Sequence, residues 1–285
     1  MSFLGGNDEL LIKARSALLD ALHALSEYGP AVIVIGAQAV YMHTGDAPVA
    51  LAEATKDSDL AIDPRTLRSE PLLEEAMERA GFYLNPFSNQ PGAWMNAGGI
   101  PVDLMVPEAL AGAGAKSVRG GRIPPHDKKA TRRALGLEAA VVDFSEMEIL
   151  ALDESDSRRC KALVAGPSAL LVAKLHKIAE RLGSPGRLND KDAHDIYRLL
   201  VSVETAEFAD RLCELLENSV SQAVTQEGLQ HLKSLFASGP DAVGSIMAGR
   251  AEEGIGDPYN VSLSVSLLAA DVLVAVNNER IDAVK

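Results

Sequence analysis

Cysteine is nearly absent from this chain. Cys160 and Cys213 are the two it has, too few for a disulfide framework and without a zinc-like spacing, so a reduced, cytoplasmic setting is expected. Aromatic residues are also scarce, at 4% of 285 residues. Ala, Leu and Val dominate the apolar 47% instead, which suits helices packed on a sheet. Positive charge is short: the net charge is −13, which argues against indiscriminate nucleic-acid binding over the whole surface. The first residues lack the basic segment and apolar core of a secretory signal. The most apolar stretch, Val261 to Val276, is broken by Ser262, Ser264, Ser266 and Asp271. It reads as a buried C-terminal helix and not as a membrane span.

What the chain does have is three carboxylates in suggestive places. Asp57 and Asp59 stand as Asp-Ser-Asp in the run Thr55 to Ile62, and Asp103 interrupts the apolar run Ile100 to Val106. Both runs read as short strands. Side chains two apart on a strand share a face, so Asp57 and Asp59 project together. A neighbouring strand can bring Asp103 beside them. Carboxylates gathered in this way repel one another unless a cation lies between them, and oxygen-only ligands suit Mg²⁺ shared with substrate phosphates. The bland alternative for Asp57 and Asp59 is a solvent-facing pair on an edge strand. For Asp103, burial is costly unless it is paired or metal-bound.

Upstream, Ala31 to Ile35 is a continuous apolar, β-branched run, as in a buried strand. It ends in Gly36, and residues 37–43 read as helix. A strand, a glycine turn and a helix N-terminus offer backbone N–H groups to a phosphate.

A strand ending in Gly, a helix, the Thr55-Lys56-Asp57-Ser58-Asp59 motif and a later single Asp resemble the nucleotidyltransferase superfamily. More narrowly they resemble its AbiEii type, which includes the MenT-like toxins of toxin–antitoxin pairs. A second block is similar to that type as well: Pro167 to Lys177 leading to Arg181, then Lys191-Asp192-Ala193-His194-Asp195. The resemblance covers roughly residues 30–200. It implies an enzyme that moves a nucleoside monophosphate from an NTP to a hydroxyl with Mg²⁺. Asp57 and Asp59 would hold the metals with Asp103 as a third ligand, and Asp103 would also orient or deprotonate the acceptor. Gly36, Ala37 and Gln38 would meet the phosphates. The family commonly has Gly-Gly, Gly-Ser or Gly-Thr at the turn, whereas this chain has Gly36-Ala37, so Gln38 or backbone N–H groups would have to replace the hydroxyl. The resemblance also implies an RNA acceptor, with tRNA 3′ ends a target class, and a cognate antitoxin. An antibiotic nucleotidyltransferase uses the same head, and a head that binds without turnover is the third reading.

Lys174, Lys177 and Arg181 lie at i, i+3 and i+7, one helix face. Either that face is simply solvated, or Lys174 and Lys177 grip the triphosphate. Asp192 and Asp195 could salt-bridge or position those lysines. His176 and His194 read as packing or surface histidines. Between Lys116 and Arg133 lie seven cations and one acid, Asp127: a mobile solvated loop, or an arm that tracks the phosphates of an RNA.

The expected fold is α/β (α+β). A nucleotidyltransferase-like head with a small mixed sheet spans 1–160, and an all-helical C-terminal domain spans 161–285. Within the head, a helix is expected over 8–27, capped by Asn7 and ended by Gly29-Pro30. Another is expected over 70–80. Strands are expected at 31–35, 55–62, 82–85, 93–96, 100–106, 139–144 and 148–152, with a long loop over 111–133.

Overall fold

The structure is a computed structural model that describes residues 5–45, 56–114 and 118–282. Thr55 and Lys116 lie outside the described residues. Two units divide the chain. The first is built from Met1–Ala39, Ala54–Leu137 and Phe144–Ala165, the second from Val40–Glu53, Glu138–Asp143 and Gly166–Lys285.

In the first unit, helix α1 (Gly5–Ala24) starts earlier than expected, with Asn7 inside its span. A 3-10 turn, Ser26–Ala31, follows with Gly29 at φ 49°. Tyr28 in that turn is buried and donates its hydroxyl to the Pro71 carbonyl at 2.7 Å. Strand β1 (Val32–Ile35) is buried at every position, as its unbroken apolar run requires. Helix α2 (Gly36–Thr44) follows directly, then β2 (Ser58–Ile62) and helix α3 (Leu73–Arg79). The remaining strands are β3 (Tyr83–Leu84), β4 (Ala93–Met95), β5 (Pro101–Pro107), β6 (Arg132–Ala134), β7 (Phe144–Leu150) and β8 (Arg159–Ala165).

Among the described residues these strands make one eight-stranded mixed sheet, larger than the small one expected. Its order is β3-β4-β5-β2-β1-β8-β7, with β6 paired to β5. Strand β1 runs antiparallel to β2 and parallel to β8, while β2 runs parallel to β5.

Two sequence expectations fail here for a physical reason. Residues 139–141 are apolar and buried but open a turn, with the Val142 and Asp143 N–H groups both donating to the Ala139 carbonyl. Conversely, the polar-looking 159–165 is strand β8. It pairs with β7 along its whole length but touches β1 only through Leu163 and Val164, so its first half is solvated and keeps Arg159 and Lys161. A cut at 160 would run through this strand, which ends one residue before Gly166.

The second unit is built mainly of helices. Helix α4 (Pro167–Arg181) has Pro at its first position, where no N–H is needed. The Asp143 carboxylate accepts from the Ala169 N–H at 3.1 Å, capping α4 from outside the helix. Helix α5 (Asp190–Ser202) is capped by its own Asn189, which accepts from the Lys191 N–H. Helices α6 (Thr205–Glu217), α7 (Gln222–Leu232), α8 (Val243–Arg250) and α9 (Pro258–Asp282) complete the unit. Helix α9 is long and apolar enough to cross a membrane, with mean hydropathy 1.7. One side of it, Val261, Val265, Ala269, Val272 and Val276, is buried against α6 and α8. The other side leaves Leu267 and Val274 exposed, so the helix is half-buried where a buried one was expected.

Candidate active site

Strand alternation sets the direction of the aspartates. Ser58 is fully buried and donates its hydroxyl to the Ala14 carbonyl of α1 at 2.9 Å. Because neighbours on a strand face opposite ways, Asp59 faces away from α1. Asp57 lies two residues upstream in the exposed approach to β2.

Register brings the third carboxylate in. On the parallel pair β2 and β5, Asp59 stands opposite Asp103, so both project from one face of the sheet. On the other flank of β2, Asp59 stands opposite Ile35, the last residue of β1. Gly36 therefore lies beside the Asp59 carboxylate. A Cβ built on Gly36 would fall 2.1 Å from Asp59 Oδ2, and the backbone there has φ 71°. Gly36 thus makes room for Asp59 and takes a conformation that L side chains avoid.

The residues after Gly36 behave differently from the sequence expectation. Ala37 is buried. Gln38 is 1% exposed, and its Oε1 accepts from the Arg15 Nε of α1 at 2.9 Å. Its amide is committed to the interior, so Gln38 does not replace the missing hydroxyl. The Gln38 Nε2 is buried without a hydrogen-bond partner. Burial also lowers the Arg15 pKa.

Asp103 has a partner that the sequence did not reveal. Arg132 of β6 donates from Nη2 to Asp103 Oδ2 at 2.7 Å, while its Nη1 donates to Gln90 Oε1 at 2.7 Å. Strand β6 runs parallel to the end of β5, with Met105 opposite Arg132. No hydrophobic pattern in Thr131-Arg132-Arg133-Ala134 announces such a short strand.

The basic segment is correspondingly more structured than a mobile loop. Arg133 donates to the carbonyls of Ala111, Gly112 and Gly120, and Gly120 bridges to Arg132. His126 is buried, taking the Leu73 N–H on Nδ1 and facing the Arg68 carbonyl through Nε2. Arg119, Arg122, Lys128 and Lys129 remain exposed. Two of the seven cations are thus spent on internal contacts.

In the second unit the other predicted residues fall together. Lys174 is 5% exposed and donates to Asp192 Oδ1 at 2.9 Å and Asp195 Oδ2 at 2.6 Å. Lys177 reaches the same Asp192 oxygen at 2.9 Å, and Arg181 reaches Asp192 Oδ2 at 3.2 Å. Burial opposes ionisation of both Lys174 and Asp192. The paired charges outweigh it, raising the lysine and holding Asp192 well below the ordinary carboxylate range. Lys177 keeps the most exposure of the three cations, at 40% of its side chain. Next in sequence, Lys191 lies 5.8 Å from the centre of the Tyr41 ring, and the Arg198 guanidinium lies 5.7 Å from it. His194 is buried against Glu252 at 2.9 Å. Asp59, Asp103 and Gly36 therefore lie together where β1, β2 and β5 meet, with Asp57 on the approach to β2 and outside the strand, and Lys174, Lys177, Asp192 and Asp195 form another group.

No protein-family model matches the chain, and no curated protein matches it. A crystal structure of a candidate nucleotidyltransferase from H. pylori is similar at 12% identity, covering 98% of this chain and 99% of that one, with a TM-score of 0.28. At that score the likeness carries no argument.

Proposed function

We propose that the chain is a magnesium-dependent nucleotidyltransferase that moves a nucleoside monophosphate from an NTP to a hydroxyl. The observation that carries this reading is the Asp59–Asp103 register on β2 and β5, with Asp57 two residues upstream. The donor set is oxygen only, which fits Mg²⁺ and not a softer metal. Asp57 and Asp59 would hold the ion with Asp103 as a third ligand, and Asp103 would also orient the acceptor hydroxyl or take its proton. The chemistry an ion supplies in such a site is neutralisation of charge on the transferring phosphoryl group and on pyrophosphate. Gly36 keeps Asp59 in place by leaving space beside it.

Within that reading the acceptor is RNA, with a tRNA 3′ end as the target class. Arg119, Arg122, Lys128 and Lys129 support it as exposed cations able to meet a phosphate backbone. The chain would act in the cytoplasm as a toxin, held by an antitoxin partner. Purified protein, Mg²⁺ and each labelled NTP in turn, incubated with total tRNA, test this. Label should enter tRNA with the intact protein and not with Asp57→Ala/Asp59→Ala. Equal labelling by both proteins would overturn the mechanism, and label on an aminoglycoside instead would move the acceptor to small molecules.

A second reading has its own observation. Arg132 occupies Asp103 Oδ2, and Gln38 is buried away from the turn. Both suit a head that binds a nucleotide without turnover. NTP binding without any transferred label would favour it.

A further inference from the structure

The second unit carries a set of side chains that the proposed transfer does not use. His176 of α4 and Glu227 and His231 of α7 each offer a donor atom, and these atoms all lie within 4.8 Å of one another. Glu227 and His231 are four apart, so they share one face of α7. His231 Nε2 is 3.7 Å from Glu227 Oε1. The two imidazole rings meet edge to face with centres 5.3 Å apart. His176 comes to them from the facing helix and is 3% exposed.

The hydrogen bonding of His176 fixes its chemistry. Its Nε2 is 2.8 Å from the Val224 carbonyl. A carbonyl only accepts, so Nε2 carries the proton and Nδ1 keeps the lone pair of the neutral ring. A histidine oriented by donating its second ring N–H to a backbone carbonyl is the usual second shell of a metal ligand. Two imidazoles and one carboxylate suit zinc, and three protein ligands leave a fourth position for water.

We propose that His176, Glu227 and His231 bind one Zn²⁺, which ties α7 to α4. The donor set separates this site from the carboxylate group of the first unit, which has no imidazole. Helix α4 would then be held on two sides, by zinc through His176 and by the Asp192 and Asp195 carboxylates through Lys174. The proposal does not depend on the transfer reaction.

The test uses the full, untagged chain stripped of metal with a chelator. Zn²⁺ alone is titrated by calorimetry, and Co²⁺ serves as a spectroscopic probe. Expected are one equivalent of Zn²⁺, a higher melting temperature on binding, and the intense visible absorption of four-coordinate cobalt. His231→Ala and Glu227→Gln, both on the more exposed side of the cluster, should weaken binding at least about tenfold while the metal-free proteins melt normally. Asp57→Ala should leave the titration unchanged. Zinc binding untouched by His231→Ala, or abolished by Asp57→Ala, or no binding at all, would each overturn the assignment.

Discussion

Asp59 fills the space that a side chain on Gly36 would take: a Cβ on the glycine would fall 2.1 Å from the carboxylate oxygen of the aspartate. The glycine that the sequence offers as a phosphate turn is therefore also the wall against which a carboxylate rests.

Replacing it tests both roles. Gly36→Ala forces an L residue to φ 71° and pushes Asp59 aside. A loss of about 1–3 kcal/mol is expected from the strained backbone alone, seen as a lower denaturant midpoint. Transfer activity should fall by more than the remaining folded fraction accounts for.

Gly166 gives a contrasting case. Its φ is −68°, so alanine suits the backbone. The added Cβ would meet the Asp143 carboxylate at 2.3 Å and displace it from the Ala169 N–H. Gly166→Ala should cost about 1 kcal/mol through the lost cap. Asp143→Ala should cost a similar amount, and the double variant little more than either, when melting curves are compared.

If Asp103 helps to hold the ion of the proposed site, Arg132 would compete with that ion for it. Removing it in Arg132→Ala should tighten Mn²⁺ binding, used as a paramagnetic substitute for Mg²⁺, by several-fold in electron-spin titrations. The stability cost should stay within about 1 kcal/mol, since the pair is partly exposed. Unchanged affinity would show that the arginine and the ion do not share Asp103.

Lys174→Met leaves Asp195 buried without its hydrogen-bond donor, while Lys177 and Arg181 still face Asp192. A loss of about 3 kcal/mol is expected in urea unfolding.

The same cluster predicts a pH profile. The folded Asp192 pKa is depressed from its ordinary 3.8, so its stabilisation is present above 3.8 and is lost as pH falls through the lower folded value. The folded Lys174 pKa is raised from 10.5, so its contribution is present below 10.5 and fades as pH rises beyond it. Between those limits the cluster's contribution is flat. Asp192→Asn should remove the acid limb when unfolding midpoints are followed below pH 4.

Legibility in the sequence followed burial. Strand β1 could be read because all its residues are inside, and β2 and β5 because aspartate stands out in an apolar run. The pairing of Asp59 with Asp103 could be anticipated only as a chance of two strands meeting. Parallel register between distant strands leaves no local mark. Strand β8 escaped because half of it faces water. Arg132 looked like one cation among seven, and only its place on β6 distinguishes it as the partner of Asp103. Gln38 escaped because nothing local reveals that Arg15 of α1 would claim it.

The parallel pairing of β1 with β8 has a consequence for how the chain is made. Strand β1 is made before both of its partners, with β2 following it closely in the chain. Its other side stays bare until residues 159–165 have been synthesised. During that interval an apolar, unpaired strand edge is open to pairing with another nascent chain. Faster translation between β2 and β8 would shorten the exposure. Chaperone demand in the cell should therefore concentrate between the emergence of β2 and that of β8 and end as β8 emerges.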